Sequence, residues 1–339
     1  MKNSRTIIAE MPKVELHLHL EGAFTFEYLL SLVEKYGGDP NIKNIQDLKN
    51  LFIFRDFPHF IKTWYWKNQF FREPLDFEES TYQSLKKLAE QNVVYAEVFY
   101  SPWDFEKNGL RTEEITEATI SGIRRAESDF NIKTGLIADI VRNYGAERSI
   151  KRMEEVLPYL NNGIIGLGLG GNEIDFPAKD FKEVYRKAKS LGFRLTAHAG
   201  EAAGPKSVRE AVDELKVERI GHGVRSIEDP VLIDMLRTKQ IPLEVCITSN
   251  ICTKIYSSFE DHPFKKLFDE GLFLTVNSDD PPMFGSDITG EFQIIHEKFG
   301  FSLSLIKELT INSVNASFLD RENKEKYKSF IDDYWDKLN

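Results

Sequence analysis

Short apolar runs alternate with amphipathic, helix-like stretches along most of this 339-residue chain, and this alternation limits the possible folds more than any other feature. Strands that alternate with helices form parallel sheets, because each parallel connection needs a long crossover. Eight βα units of this length predict an α/β fold, a (β/α)8 TIM barrel. The predicted strands are one within 12–22, then 93–99, 133–140, 164–169, 194–197, 219–220, 242–247 and 272–276.

Helices are predicted between these strands and in two further places. A helix at 24–36 and a long, aromatic-rich helical region at 58–90 follow the first strand. Such aromatic residues are typical of a core, of a lid or of a pocket wall, and all three interpretations stay open. No linker, repeat or low-complexity segment is present, so we expect one domain over 1–339. The other predicted helices are 112–130, 147–160, 179–191, 206–215, 230–239 and 262–270, with 288–299, 303–318 and 324–338 as the last barrel helix and a C-terminal cap.

Composition excludes several kinds of partner. The chain has 44 basic and 54 acidic residues, a net charge of −10, and no basic run, so binding to nucleic acid is not expected. No apolar run approaches the roughly 20 residues that cross a bilayer, and the N-terminus lacks the core of a signal peptide. Cys246 and Cys252 do not form a CxxC pair, which indicates a reducing compartment. We therefore expect a cytoplasmic protein without a membrane partner.

The first predicted strand carries two histidines on one side. Apolar residues alternate with polar ones from Val14 to Glu21, and residues two apart on a strand point the same way. His17 and His19 therefore project together. A divalent metal would give both rings a partner, whereas a pair of surface histidines on an edge strand is the simpler alternative.

Other polar residues are predicted at the carboxyl ends of later strands, where barrel enzymes place their active sites. Four of the seven histidines fall on this face. Three neutral imidazoles and a carboxylate suit a catalytic Zn²⁺, and the remaining acids and imidazole are free for proton transfer. Taken singly, a core histidine or a turn-capping aspartate is also a reasonable interpretation. The residues are His17, His19, Glu21, His198, Glu201, His222, Asp279 and Asp280.

Five segments together resemble the adenosine deaminase family, the adenosine/AMP deaminase branch of the metal-dependent amidohydrolases. They occur in the family's order and extend over about 11–320. The segments are 11–23 (MPKVELHLHLEGA), 198–205 (HAGEAAGP), 219–224 (RIGHGV), 243–250 (LEVCITSN) and 277–281 (NSDDP).

The resemblance implies a role for each site residue. Glu201 would protonate the purine nitrogen beside the attacked carbon, and His222 would orient and stabilise the hydroxide nucleophile. Asp280 would hydrogen-bond the imidazole side of the purine, and the Gly171 backbone would contact the purine. One Zn²⁺ per chain would be held by His17, His19, His198 and Asp279, and the substrate would be bound by His19, Glu21, Gly171 and Asp280.

The implied reaction is hydrolytic loss of the 6-amino group of an adenine ring. We expect an adenine nucleoside, with adenosine first; an aminodeoxyfutalosine-type nucleoside or free adenine is the alternative. Position 21 is glutamate, whereas adenosine-specialised members often have aspartate there to bind the ribose. AMP is less favoured, because no phosphate loop or basic cluster is evident, although Arg142, Lys206 and Arg225 are each candidates for a position near a pocket.

Three other classes are weighed against this one. The H-x-E and P-C-x-x-C pattern of cytidine-type deaminases is absent. Two-metal hydrolases such as phosphotriesterases usually have a bridging ligand after strand four, where this chain has Gly168-Leu-Gly-Gly171. A catalytically silent relative would lack a ligand or Glu201, and neither is missing.

Overall fold

Eight parallel strands form one sheet in residues 2–55 and 57–338, which are the residues that the computed structural model describes. Each strand pairs with its neighbours in chain order. The strands are β1 (Lys13–His19), β2 (Val93–Tyr100), β3 (Lys133–Val141), β4 (Ile164–Gly170), β5 (Arg194–Ala199), β6 (Arg219–His222), β7 (Leu243–Val245) and β8 (Leu274–Val276).

The first and last strands meet at their carboxyl ends. The His19 N–H donates to the Asp279 carbonyl at 3.0 Å, and the Asp279 N–H donates to the His17 carbonyl at 2.9 Å. These bonds bring the end of β1 beside the end of β8. The predicted (β/α)8 barrel is confirmed.

Helices surround the barrel at most of the predicted places. The helices before β4 are α1 (Ser4–Glu10), α2 (Phe26–Lys35), α3 (Ile45–Leu51), α4 (Phe57–Asn68), α5 (Pro74–Glu90), α6 (Thr112–Asp129) and α7 (Ala146–Val156). Those after β4 are α8 (Lys182–Leu191), α9 (Pro205–Glu210), α10 (Pro230–Lys239), α11 (Ile247–Cys252), α12 (Phe264–Asp269), α13 (Pro281–Phe284), α14 (Ile288–Lys298), α15 (Leu303–Ala316) and α16 (Arg321–Asp336).

The predicted secondary structure was wrong in places where tertiary contacts determine whether a helix or a strand forms. The strand predicted at 242–247 ends at Val245, and α11 begins at Ile247. The buried carboxylate of Glu291 accepts the N–H groups of Ile247 and Thr248, which are the unpaired donors at the start of this helix. The region 58–90 divides into α4 and α5.

Helices α1 and α3 are among the short helices that were not predicted. Helices α1 and α3 have seven residues each and begin after Asn3 and Asn44, whose side chains accept backbone N–H groups. Helices this short need packing to be stable, and Ile8 and Leu48 are fully buried in the core.

Within the described ranges, every helix is too short or too polar to cross a bilayer.

Candidate active site

The carboxyl ends of the strands bring the predicted site residues together. His17 and His19 come from β1, His198 from β5 and His222 from β6, and Asp279 follows β8. His222 and Asp279 adopt left-handed backbone conformations, with φ of 59° and 63°. Such conformations are uncommon outside glycine and are concentrated at functional sites.

Three imidazoles and one carboxylate converge at one point. His19 Nε2 lies 3.1 Å from His198 Nε2 and 3.5 Å from Asp279 Oδ1. His17 Nε2 lies 3.8 Å from Asp279 Oδ1, and no hydrogen-bond partner satisfies this buried nitrogen. The histidine ligand atoms all lie within 4.8 Å of one another, and a second such group consists of His17, His222 and Asp279.

The protonation of two of these rings suits a metal. His17 Nδ1 lies 2.7 Å from a Glu244 oxygen, and His198 Nδ1 lies 3.2 Å from the Leu169 carbonyl. Both partners accept, so each Nδ1 carries the proton and each Nε2 turns a lone pair inward. Burial is the main cause that lowers the pKa of His17 and His198 well below its usual value, which keeps both rings neutral. The residues therefore fit a divalent metal ion.

Glu244 is held by a buried ion network beneath the site. Arg219 Nε donates to Glu244 Oε1 at 2.5 Å, while its Nη1 pairs with Glu97. All three side chains are buried, so each charge needs its partners. Sequence reasoning assigned no role to Glu244, although a glutamate between the apolar Leu243 and Val245 of a buried strand was a usable signal.

Glu201 has the properties of a general acid. Its Oε2 lies 3.6 Å from His222 Nε2, and its side chain lines the cavity beside the histidines. Burial, followed by the negative charge of Glu173, raises the pKa of Glu201 to about 8. The carboxyl group is therefore protonated at neutral pH and can donate a proton.

Glu173 holds the loop that carries Glu201. Its Oε1 accepts the Gly200 N–H, and its Oε2 accepts the N–H groups of Glu201, Ala202 and Ala203 at 3.2, 2.9 and 2.9 Å. Four donors on one buried carboxylate fix the backbone after β5. Glu173 is not predicted from the sequence, because its four partners come together only in the folded chain.

Asp280 and Gly22 are in close contact. A Cβ atom on Gly22 would lie 1.6 Å from Asp280 Oδ1, so only glycine leaves room for this carboxylate. Asp280 Oδ1 is buried without a partner, and Asp280 lines the cavity. Gly171 also lines it, with a φ of +91° that favours glycine.

Glu21 lies apart from the other predicted substrate-binding residues. Its Oε1 accepts the Ser101 N–H at 2.6 Å, and its Oε2 is buried without a partner. His19, Gly171 and Asp280 line the cavity, whereas Glu21 lies beneath Ser101 and is not among the lining residues.

The cavity above the histidine cluster has a volume of about 240 Å³. Phe60, Trp64 and Tyr65 of α4 form one wall, so part of the aromatic region predicted at 58–90 lines the pocket, while Phe70 and Phe71 are core residues. Among the described residues, the lining contains aspartates and a glutamate but neither lysine nor arginine. The basic residues considered from the sequence do not line it: Arg142, Lys206 and Arg225.

A barrel with a buried histidine and carboxylate cluster at its strand ends defines a metal-dependent hydrolase. A family model described as adenosine deaminase matches residues 12–334, and the chain belongs to this family. It is a hydrolytic deaminase that acts on a purine C–N bond, as the sequence analysis predicted.

Known relatives share most of its length. An adenine deaminase from Acinetobacter baylyi is 34% identical over 96% of this chain and 98% of that enzyme. An aminodeoxyfutalosine deaminase from Streptomyces avermitilis is 34% identical over 98% of this chain and 94% of that enzyme. The crystal structure of an amidohydrolase from Burkholderia ambifaria with bound Zn superposes with a TM-score of 0.91 at 26% identity, covering 100% of this chain and 96% of that chain. These relatives favour the alternative substrates of the sequence analysis over adenosine.

Proposed function

We propose that this protein is a zinc-dependent deaminase of free adenine, which it hydrolyses to hypoxanthine and ammonia. The observation that carries this proposal is the small, acidic cavity beside the histidine cluster. Its volume of about 240 Å³ is below the roughly 300–1,000 Å³ typical of pockets for drug-sized ligands. The absence of lysine and arginine from its described lining argues against a phosphate group.

Asp139 is suited to distinguish the base from its nucleosides. It lines the cavity and is 3% exposed. Free adenine carries an N9–H that the carboxyl group of Asp139 can accept, whereas in adenosine the sugar occupies N9. A site built for a substrate N–H discriminates strongly against an analogue that lacks it, because the buried acceptor is then left unpaired.

The proposed metal ligands are His17, His19, His198 and Asp279, and zinc suits these nitrogen and oxygen donors. When bound, the metal supplies a Lewis acid that lowers the pKa of the attacking water towards neutrality. The Zn-bound Burkholderia ambifaria structure supports the choice of zinc.

The remaining residues act on the purine. Glu201 donates its proton to N1, which makes C6 electrophilic enough for attack by water. Asp280 contacts the imidazole side of the ring, and the Gly171 backbone lies at the ring edge. His222 donates a hydrogen bond to the oxygen of the attacking water. One proton of the water goes to the amino group, the C6–N bond breaks as ammonia leaves, and the second proton of the water restores the Glu201 carboxyl group.

The test is the ultraviolet absorbance change of adenine on addition of the zinc-loaded protein, with adenosine and aminodeoxyfutalosine in parallel. We expect the highest kcat/KM for adenine, loss of turnover with a chelator, and recovery with Zn²⁺. The Asp139→Leu variant, which has no acceptor, should lose more activity on adenine than on the nucleosides. A higher kcat/KM for either nucleoside would overturn the choice of the base, and chelator-resistant turnover would overturn the metal.

A second substrate has one observation in its favour. The wall of Phe60, Trp64 and Tyr65 could pack against a large apolar group on the substrate, and an aminodeoxyfutalosine deaminase is among the relatives. If this nucleoside is the substrate, Trp64→Ala should raise its KM and leave the KM of adenine unchanged.

A further inference from the structure

Three side chains form a hydrogen-bonded relay that ends on His222. The Phe264 backbone N–H donates to His262 Nδ1 at 3.2 Å. His262 Nε2 lies 3.1 Å from Asn250 Oδ1, and Asn250 Nδ2 lies 3.2 Å from His222 Nδ1. His262 and Asn250 lie outside the cavity lining, behind His222.

The direction of every bond follows from the first one. A backbone N–H can only donate, so His262 Nδ1 must accept. Burial lowers the pKa of His262 to about 3, so the ring is neutral and its single proton is on Nε2. That N–H requires the oxygen of the Asn250 amide, which turns the amide nitrogen towards His222. His222 Nδ1 therefore accepts, and its own proton is on Nε2.

The relay is held rigidly on both sides. The Asn250 N–H donates to the Cys246 carbonyl at 3.1 Å, and its carbonyl accepts the N–H groups of Ile255 and Tyr256 at 3.0 and 3.1 Å. The His262 ring packs against the rings of Tyr256 and Phe299, with centroids 5.1 and 6.3 Å away. Asn250 is fully buried and His262 is 3% exposed, so water does not compete for these bonds.

We propose that Asn250 and His262 are positioning residues that hold His222 in the tautomer with its proton on Nε2. His222 then presents a hydrogen-bond donor to the reaction site, where its Nε2 lies 3.6 Å from Glu201 Oε2. A protonated Nε2 cannot bind a metal, so the relay also separates His222 from His17 and His198, whose Nε2 atoms offer lone pairs. The catalytic part of this inference rests on the proposed function, but the tautomer does not.

The direct test is ¹⁵N NMR of the histidine rings in the zinc-loaded protein, because protonated and bare ring nitrogens differ widely in chemical shift. His222→Gln serves only to assign the His222 signals. In the natural protein we expect His222 to be protonated on Nε2 and bare on Nδ1. The Asn250→Asp variant keeps the shape and the bond from His262 but can only accept, so His222 Nδ1 should become protonated.

The second test measures the activity of the variants on the best substrate. We expect Asn250→Asp to lower kcat by about 10- to 100-fold, the size typical of losing a partner that orients a site histidine. Its KM and its zinc content should change little. His262→Phe should give the same loss, because it keeps an aromatic ring but removes the N–H. His262→Gln, which can still donate to Asn250, should recover part of the activity.

Asn162→Asp is the matched control for added charge, because Asn162 is exposed and its Oδ1 already accepts from Arg124. It should change neither the His222 signals nor kcat. The proposal is overturned if His222 keeps its Nε2 proton in Asn250→Asp, or if that variant moves the proton while kcat is unchanged. A natural protein with His222 protonated on Nδ1 would overturn it directly. If the proposed substrate is wrong, the NMR experiment still reports the tautomer of His222. The two proposals are therefore tested separately.

Discussion

Replacing Glu173 with glutamine tests whether one buried carboxylate both holds the Glu201 loop and keeps Glu201 protonated. Its two oxygens accept four backbone N–H groups, one on Oε1 and three on Oε2. Glutamine has the same shape, but its NH2 group donates and cannot accept a backbone N–H. The least costly orientation places the amide oxygen at the Oε2 position, which leaves the Gly200 N–H facing another donor.

The expected loss of stability follows from these bonds. A hydrogen bond to a charged group contributes about 1.5–3 kcal/mol, so losing one and weakening three should lower the free energy of unfolding by about 3 kcal/mol. An unfolding entropy of about 2.1 cal/mol/K per residue amounts to about 0.7 kcal/mol/K for 339 residues. Calorimetry should therefore show a Tm about 4 °C lower.

The pH dependence separates a catalytic effect from loss of stability. Burial and then the charge of Glu173 raise the pKa of Glu201, so a neutral residue at position 173 should lower that pKa. The proposed mechanism needs Glu201 in its protonated form, which is lost as the pH rises through this pKa. The alkaline limb of kcat should therefore move to lower pH, and activity at about pH 8 should fall more than activity at about pH 6.

Glu218→Gln is the matched control. Glu218 accepts the Leu195 N–H at 3.1 Å and pairs with Arg194 at the start of β5, at the opposite end of that strand from His198. It should lower Tm without moving the alkaline limb. The reasoning about Glu173 is refuted if the alkaline limb of kcat lies at the same pH in Glu173→Gln as in the natural protein. It is also refuted if Glu218→Gln moves this limb by an equal amount.

Two further substitutions examine the acid and the purine contact. Glu201→Gln should keep its zinc, measured by mass spectrometry, but lose about 10²- to 10⁴-fold in kcat, because an amide cannot supply the proton; near-normal turnover would remove Glu201 from the reaction. Gly22→Ala should displace Asp280 and raise the KM for the substrate by about 10-fold, equivalent to one lost hydrogen bond. Gly300→Ala, at an exposed turn with nothing within 4 Å, should leave KM unchanged, and an equal effect at both glycines would contradict the contact with Asp280.

Much of the architecture could be predicted because it depends on local patterns. The alternation of apolar runs with helical stretches located all eight strands, and residues two apart on β1 placed His17 and His19 on one side. The predicted ligands and Glu201 lie at or just after the carboxyl ends of strands, which meet at one face of any such barrel. The family prediction is confirmed, while the individual roles of the site residues stay predictions.

Substrate choice could not be read in the same way. Adenosine was expected first, but the comparisons favour adenine or a modified adenine nucleoside. We propose adenine from the volume of the cavity and from the Asp139 carboxyl group in its lining. Both are properties of packed surfaces, to which several distant segments contribute.

The barrel, the family and the set of residues at the strand ends could be inferred from the sequence alone, because backbone periodicity and strand polarity act over a few neighbouring residues. How those residues are held depends on contacts that form only in the folded chain. Glu244 orients His17, although the two residues are 227 positions apart in the sequence. Glu291 accepts the first N–H of α11, although it lies 44 positions from Ile247. His262 reaches His222 only through Asn250. Such pairings depend on distance and burial in the folded chain, where an unpaired polar atom is costly. They cannot be predicted from a local sequence pattern.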